Sequence, residues 1–165
     1  APETREAVRA FLEGYDGRAV IDADALAAVP EVEPAATLVC TPHQGELAGM
    51  GGPTEEDWRE RAAAVEAFAA DLGHVLLVKG AYAVISAGAE TRVNRTGNPG
   101  MTVGGTGDVL AGVTGALLAT NEALEAGAIA AYANGRAGDL VVEEYGNGLL
   151  ASDLLDRIPE AMRDD

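Results

Sequence analysis

Short apolar runs alternate along this chain with segments of helical periodicity, and polar residues do not interrupt the runs. A strand that is apolar at every position suits a sheet covered on both faces, whereas a half-exposed strand alternates apolar with polar residues. Alternation of such strands with helices is typical of α/β folds, so we predict a mostly parallel sheet flanked by helices. Strands are predicted at 19–22, 37–40 and 75–78, followed by a hairpin with strands near 83–86 and 90–93.

The helical segments carry their own start and stop signals. Thr54 with Asp57 three residues later resembles a capping box, and Gly73 is placed to end the helix that follows. We find no internal repeat or linker, so we expect residues 1–165 to form one domain. Other helices are predicted over 2–14, from near Asp108 with Val109, Leu110, Val113, Ala116 and Leu117 on one face, over about 122–144, and after Ser152 with Pro159 limiting the regular part.

The charge balance excludes several kinds of partner. The chain has 27 acidic and 11 basic residues, a formal net charge of −16, which repels nucleic acid and anionic membranes. No apolar run approaches the roughly eighteen residues of a membrane span and no leader is evident, so we expect a cytoplasmic protein. Acidic residues spread over a chain that is 48% hydrophobic fit adaptation to high salt. Cys40 is the only cysteine, which excludes disulfide scaffolds, and no Cys/His spacing suggests zinc.

Lysine occurs once, at Lys79, whereas ten of the eleven basic residues are arginine. Either this lysine is present by chance in a chain whose composition favours arginine, or its position needs a compact ammonium group instead of the planar guanidinium.

Polar motifs follow three of the predicted strands. They are Asp22-Ala23-Asp24, Thr41-Pro42-His43-Gln44-Gly45-Glu46 and Lys79-Gly80-Ala81. Parallel sheets carry their sites in the loops after the carboxyl ends of the strands, so we expect these motifs to meet at one edge. The glycine-rich loop at 97–107 is expected to open onto the same edge. The sequence therefore predicts an active site there.

The loop ends in Gly104-Gly105-Thr106-Gly107-Asp108 at a helix start. Glycines allow a tight turn whose N–H groups point together, and the positive helix end adds attraction for a phosphoryl group. The loop lacks the Gly-Lys-Ser/Thr ending of a Walker A motif. Asp108 would repel phosphate, so we predict that it accepts a proton from a hydroxyl nucleophile; the alternative is that it only stabilises the helix dipole.

Three other side chains have both a functional and a structural interpretation. His43 stands at a strand exit in a turn bracketed by proline and glycine, which favours function, whereas His74 lies between a helix and a strand and is interpreted as structural. Glu46 either holds a magnesium–phosphate assembly through water or begins a helix. Of the two aspartates after the first strand, Asp24 is the better site candidate, with a sheet-edge hydrogen-bonding pair as the alternative.

Four motifs in this order resemble the ADP/ATP-dependent NAD(P)H-hydrate dehydratases of the ribokinase-like superfamily: 20–26, 41–46, 78–81 and 97–112. The resemblance covers most of the chain, and the last motif is the most specific. His43 is the discriminating residue, because related vitamin kinases usually carry Asn at that place. The family domain is much longer, so the resemblance implies that this chain is its carboxyl-terminal part, without the opening section.

The resemblance also implies roles for individual residues. Asp108 would be the catalytic carboxylate, and both Asp108 and His43 would contact the hydrate. The adenine nucleotide would be lined by Lys79, Gly80, Ala81, Tyr82, Ala83 and Gly107, the anion hole would be Gly104, Gly105, Thr106 and Gly107, and Asn98 is a further candidate. At Ala83 the family pattern leads us to expect a hydroxyl or carboxylate, so a side-chain contact there is in doubt.

The function expected is nucleotide-dependent dehydration of NAD(P)H hydrate, with Mg²⁺ spanning the phosphates of ADP or ATP. We expect a homo-oligomer and an upstream epimerase domain or the earlier part of the same domain. Two alternatives stay open. One is a ribokinase-like kinase that phosphorylates a small alcohol and stops there, and the other is a nucleotide-binding fragment without activity.

Overall fold

The computed structural model describes residues 2–163, so the predicted domain at 1–165 extends past the described part by one residue at its start and two at its end. The strands are β1 (Arg18–Ile21), β2 (Thr37–Cys40), β3 (Val75–Val78), β4 (Ala83–Ser86) and β5 (Thr91–Asn94). The helices are α1 (Pro2–Gly14), α2 (Gln44–Gly49), α3 (Trp58–Leu72), α4 (Thr106–Leu118), α5 (Ala123–Tyr145), α6 (Ala151–Leu155) and α7 (Ile158–Ala161).

The five strands form one sheet in the order β1-β2-β3-β4-β5. β1, β2 and β3 are parallel, and the predicted hairpin adds β4 and β5 as antiparallel strands. The α/β class and the hairpin are confirmed. All four residues of β3 are buried, in agreement with its uninterrupted apolar sequence. All four residues of β4 are buried as well, although its last residue, Ser86, is polar.

Helices cover both faces of the sheet, because successive strand side chains point to opposite sides. On one face, Leu38 and Leu76 pack with Leu12 of α1 and Val65 of α3. On the other, Val39 and Leu77 belong to a cluster that includes residues of α4 and α5. A third cluster joins the end of α5 to α6 and α7 through Ala137, Val141, Leu149, Leu154 and Ala161. Among residues 2–163, no helix is long and apolar enough to cross a membrane.

Several predicted boundaries are corrected. Asp57, not Thr54, caps α3, because its side chain accepts the N–H groups of Arg59 and Glu60. Gly73 ends the helix as predicted, with a φ of 74° in the left-handed region. The last predicted helix is two short helices, and Pro159 lies in the first turn of the second, where its missing N–H costs no hydrogen bond. Smaller shifts are β1 at 18–21, β5 at 91–94 and α4 beginning at Thr106.

The buried stripe of α4 also differs from the prediction. Ala116 is exposed, while Leu110, Thr114 and Leu118 are buried. Thr114 satisfies its hydroxyl by donating to the Leu110 carbonyl at 2.7 Å, which allows a polar residue on the sheet-facing side. A 3₁₀ helix at Ala23–Glu31 and the short α2 were not predicted.

Candidate active site

The carboxyl ends of the three parallel strands are joined by backbone hydrogen bonds. The N–H of Thr41, after β2, donates to the Ile21 carbonyl at 3.0 Å. The N–H of Lys79, after β3, donates to the Pro42 carbonyl at 2.8 Å. The predicted convergence of the three polar motifs at one sheet edge is therefore confirmed.

Lys79 is the ionic centre of this edge. Its Nζ lies 2.9 Å from Oδ1 of Asp22 and 3.6 Å from Oε2 of Glu46. All three side chains are mostly shielded from solvent, with exposed fractions of 22% for Lys79, 17% for Asp22 and 22% for Glu46. The ammonium group therefore neutralises two carboxylates, Asp22 after β1 and Glu46 after β2. This role argues against the interpretation that the lysine is present by chance.

The glycine loop turns into α4 beside this lysine. Gly105 has a φ of 97°, and a Cβ there would lie 2.9 Å from the Cβ of Ala151, so only glycine fits. Within residues 2–163, no side chain caps the N-terminus of α4. Its first N–H groups have no partner inside the helix and remain available for an anion. A Cβ at Gly107 would lie 3.5 Å from Nζ of Lys79, which places the helix end next to the ammonium group.

His43 and Glu46 form a reciprocal cap at the start of α2. Nδ1 of His43 accepts the Glu46 N–H at 3.0 Å, and Oε2 of Glu46 accepts the His43 N–H at 2.7 Å. Because Nδ1 is an acceptor, the proton of the neutral ring is on Nε2. The His43 side chain is 60% exposed, and its Nε2 lies 3.5 Å from Oε1 of Glu46.

A cavity of about 770 Å³ opens at this edge between the lysine loop, the glycine loop and α5. The predicted residues that line it are His43, Lys79, Gly80, Ala81, Ala83, Asn98, Gly104, Thr106 and Gly107. The remaining candidates lie outside this lining: Tyr82, Gly105, Asp108, Asp24 and Glu46. A second cavity of about 670 Å³ is lined by Asp24 and Glu46 together with residues of α1. The contact between Lys79 and Glu46 links the two cavities.

Two of the residues outside the lining occupy defined places. Asp108 is the third residue of α4, directly after Gly107, and it is exposed. Tyr82 turns away from the cavity and stacks on Trp58 with ring centroids 5.2 Å apart. Tyr82 therefore offers the cavity only its backbone, through its neighbours Ala81 and Ala83.

The aspartate that meets Lys79 is Asp22 and not Asp24, which the sequence favoured. Ala23 between them has a φ of 52°, in the left-handed region that alanine rarely adopts. The chain turns sharply there into the 3₁₀ helix, so the two carboxylates separate. Periodicity could not reveal this turn, because alanine is not a typical residue for it.

Two polar side chains of the glycine loop already make hydrogen bonds to other groups of the protein. Thr106 donates its hydroxyl to the carbonyls of Met101 and Val103, so only its N–H is available to an anion. Asn98 donates to Asp139 at 2.9 Å and accepts from the Gly100 N–H at 3.0 Å. Both hold the loop in shape.

Sequence reasoning missed the wall that α5 contributes, which includes Ala131, Asn134 and Gly135. Gly135 allows the chain at Thr96 to pass closely, since a Cβ there would lie 2.6 Å from the Thr96 carbonyl carbon. The glycines of α5 were the available signal, because a helix interior disfavours glycine unless another segment packs tightly against it.

Among residues 2–163, no group of three or more His, Cys, Asp or Glu side chains is arranged to hold a metal ion directly. The carboxylate of Glu46 is already engaged by the protein, because it accepts the His43 N–H and contacts Lys79.

Burial changes the ionisation of two side chains outside the cavity. Burial raises the pKa of the Cys40 thiol from 9.0 to about 12. Partial burial lowers the pKa of His74 below its usual 6.5, which is consistent with the structural interpretation of that histidine. Neither group takes part in the site.

Comparison with known proteins agrees with the motifs. A family model described as NAD(P)H-hydrate dehydratase matches residues 1–160. A bifunctional NAD(P)H-hydrate repair enzyme from Pyrobaculum aerophilum is 47% identical over 98% of this chain, which spans 33% of that relative. An ADP-dependent (S)-NAD(P)H-hydrate dehydratase from Cenarchaeum symbiosum is 44% identical over 74% of this chain and 44% of its own length. The chain thus spans less than half the length of either relative.

Solved structures give the same result for the fold. An ADP/ATP-dependent NAD(P)H-hydrate dehydratase from Bacillus subtilis, crystallised with ATP and Mg²⁺ and soaked with CoA, superposes with a TM-score of 0.84 at 32% identity. The similarity covers 98% of this chain and 61% of that one. A ribokinase-like superfamily protein from Enterococcus faecalis superposes with a TM-score of 0.85 at 25% identity, over 98% of this chain and 58% of that one.

Proposed function

The chain belongs to the NAD(P)H-hydrate dehydratase family, and we propose that it carries the nucleotide-binding and catalytic edge of an ADP- or ATP-dependent dehydratase acting on the S form of NAD(P)H hydrate. The observation that carries the proposal is the meeting of Lys79, His43 and the uncapped end of α4 around one cavity. An anion hole and an ammonium group beside an open cavity suit phosphoryl transfer.

The proposed chemistry makes a leaving group and then removes it. The hydroxyl oxygen of the hydrate attacks the terminal phosphorus of the nucleotide, and its proton goes to a carboxylate while AMP or ADP leaves. The ring nitrogen then expels phosphate as the C–O bond breaks, and loss of a proton from the adjacent carbon restores the dihydropyridine. Phosphorylation is needed because hydroxide is a poor leaving group.

Each residue has a proposed task in this scheme. The N–H groups of Gly104, Gly105, Thr106 and Gly107 bind the transferred phosphoryl group, and Lys79 neutralises its charge. Asp108 accepts the hydroxyl proton, since it directly follows Gly107 in the first turn of α4. Its exposed position is compatible with a hydrate that approaches from outside the nucleotide cavity. His43 donates from Nε2 to the hydrate.

The nucleotide brings Mg²⁺, which supplies charge neutralisation on its phosphates when bound. Glu46 would hold a water of that ion. The backbone of the lysine loop, from Lys79 to Ala83, lines the nucleotide, with Tyr82 contributing through its main chain. Asp22 keeps the Lys79 ammonium in place.

Working conditions, partners, location and assembly are proposed from the net charge of the chain and from the names of its relatives. A net charge of −16 supports function at high salt and argues against nucleic acid and membrane partners. We also propose a cytoplasmic location and a homo-oligomer. We propose further that an epimerase domain accompanies this chain, because a relative of the chain is named as bifunctional. Size-exclusion chromatography with light scattering tests the oligomer.

The test of function incubates the chain with prepared NADH hydrate, Mg²⁺ and either ADP or ATP. We expect nucleotide-dependent recovery of reduced-nicotinamide absorbance with release of equal amounts of phosphate and AMP or ADP. Reactions without nucleotide and with the Asp108→Asn variant are the controls. A stable phosphorylated product without NADH would indicate a kinase, and binding of nucleotide without turnover would indicate an inactive fragment; either result contradicts the proposal.

A further inference from the structure

The carboxylate of Asp139, on α5, uses both of its oxygens to hold the start of the glycine loop. Oδ2 accepts the N–H of Gly97 at 3.0 Å, and Oδ1 accepts the side-chain amide of Asn98 at 2.9 Å. The oxygen of that Asn98 amide in turn accepts the N–H of Gly100 at 3.0 Å. Asp139 lies outside the lining of the large cavity, so its influence on a ligand there passes through the loop.

Hydrogen bonds continue from Asn98 to the first residue of α4. The N–H of Met101 donates to the Asn98 carbonyl at 3.1 Å, and the Thr106 hydroxyl donates to the Met101 carbonyl at 2.9 Å. Thr106 begins α4, and its N–H is one of the groups that we propose to bind the transferred phosphoryl group. The anion hole is therefore tied to α5 by successive hydrogen bonds that start at Asp139.

The same part of α5 packs tightly against the loop. A Cβ on Gly135 would lie 2.6 Å from the carbonyl carbon of Thr96, and a Cβ on Gly138 would overlap the Met101 side chain. The two glycines therefore let the loop lie directly on the helix. Contacts of this kind bring the surfaces together without selecting one orientation, whereas the two hydrogen bonds of Asp139 are directional and fix the loop on α5.

We propose that Asp139 is a positioning residue for phosphoryl transfer, which acts through Asn98 and Met101 on the amide N–H groups at the start of α4. Donors of an anion hole work by being aligned on the charge that develops in the transition state, so a small displacement lowers turnover more than it lowers ground-state binding. This inference rests on the proposed function, because it assumes that these amides bind the transferred group.

The pattern of donors and acceptors makes Asp139 and Asn98 a pair that can be exchanged. In Asp139→Asn the new amide has one oxygen for two donors, so either the Gly97 N–H or the Asn98 amide faces another donor. Flipping the Asn98 amide only moves this mismatch to the Gly100 N–H. Asn98→Asp alone places two carboxylates against each other.

The double variant Asn98→Asp with Asp139→Asn should restore every hydrogen bond of the pair. The amide at position 139 then accepts the Gly97 N–H and donates to the carboxylate at position 98, which still accepts the Gly100 N–H. A matched control on the same helix is Glu143→Gln, at an exposed residue that pairs with Arg136.

The first measurement is steady-state turnover of NADH hydrate with ADP and Mg²⁺. Each single variant should lower kcat by about ten- to hundredfold. The KM for ADP should change by less than about threefold, because Lys79 and its loop are unaltered. The double variant should recover most of kcat, and Glu143→Gln should match the unchanged chain. A purely structural contact would lower the melting temperature without separating kcat from KM.

The second measurement needs no turnover. The amide NMR resonances of Gly104, Gly105 and Gly107 should shift in each single variant and return in the double variant, whereas Glu143→Gln should leave them in place. If Asp139→Asn prevents folding, Asn98→Ala, which also removes the link from α5 to Asn98, takes its place.

Two results overturn the inference and leave the proposed function intact. One is a single variant whose kcat stays within about twofold of normal and whose glycine amides do not shift. The other is a double variant that is as slow as the single ones. If the unchanged chain does not turn over the hydrate, the proposed function fails, and the glycine resonances still decide whether Asp139 positions the start of α4.

Discussion

Nζ of Lys79 donates a hydrogen bond of 2.9 Å to Oδ1 of Asp22, and this contact joins the ends of two strands that are 57 positions apart in sequence. The only lysine of the chain therefore neutralises a carboxylate at the sheet edge and lies against the helix end that we propose to bind phosphate.

Lys79→Met should weaken ADP binding by about 1.5–3 kcal/mol, or roughly ten- to hundredfold, because a hydrogen bond to a charged phosphate is lost. It should also lower the melting temperature, since Asp22 and Glu46 lose their common cation. Calorimetry and thermal melts measure both effects. Lys79→Arg should restore binding only in part, because the planar guanidinium is larger than the ammonium group, whose Nζ lies close to Gly107. Arg92→Met, at an exposed pair with Glu90, is the control; equal losses in both variants would contradict the assignment.

Asp108→Asn should lower the turnover of NADH hydrate by about 10²–10⁴-fold, because the amide cannot accept the hydroxyl proton. Nucleotide binding should change little, since Asp108 does not line the nucleotide cavity. Asp153→Asn, an aspartate in the first turn of α6, is the matched control and should keep normal turnover. Steady-state rates with calorimetric ADP affinities separate the two effects. Turnover near normal in Asp108→Asn would remove this residue from the mechanism.

The Cys40 thiol should be inert in the folded protein. Burial raises its pKa to about 12, so almost no thiolate is present at pH 8, and the thiolate is the reactive form. Ellman's reagent should label the folded chain only on the timescale of unfolding and should label it at once in guanidinium chloride. Rapid labelling of the folded chain would show that the strand end at β2 is open.

His74 should make the protein less stable in mild acid. Its pKa is lowered by burial, so the unfolded chain takes up the proton before the folded chain does. The stabilisation is fully present above the unfolded pKa of about 6.5 and is lost as the pH falls below it through the folded pKa. Thermal melts of the unchanged chain and of His74→Gln between pH 8 and 5 measure the effect, and the variant should show the shallower decline. NMR titration of the two histidines should place His74 below 6.5; a value above 6.5 contradicts this.

Salt should stabilise the fold. With a net charge of −16, repulsion between surface carboxylates favours unfolding at low ionic strength, and the screening length falls from about 10 Å at 0.1 M to about 3 Å at 1 M salt. The melting temperature should therefore rise by several degrees between 0.1 and 1 M KCl. The double variant Asp71→Asn with Asp156→Asn removes two exposed charges and should reduce the rise. A melting temperature independent of KCl would exclude the proposed adaptation to high salt.

The fold was predicted from local pattern to a large extent. Uninterrupted apolar runs identified the strands, and β2, β3 and β4 lie where they were predicted. The edge of the sheet that carries the polar motifs followed from parallel strand direction, which places successive carboxyl ends together. Boundaries governed by a specific hydrogen bond, such as the Asp57 cap of α3, were not predicted, because several nearby residues have the chemistry to cap.

By itself, the sequence determined the class of fold, the three strand-end motifs and the glycine loop, because strand burial and helix starts depend on neighbouring residues. Only the tertiary structure decided that Asp22 and not Asp24 meets Lys79, that Tyr82 faces Trp58, and that Asn134 belongs to the cavity. These depend on a left-handed turn at Ala23 and on the packing of α5 across the sheet. Contacts between distant segments are set by how faces pack together, and that information is spread over the chain instead of residing in any one motif.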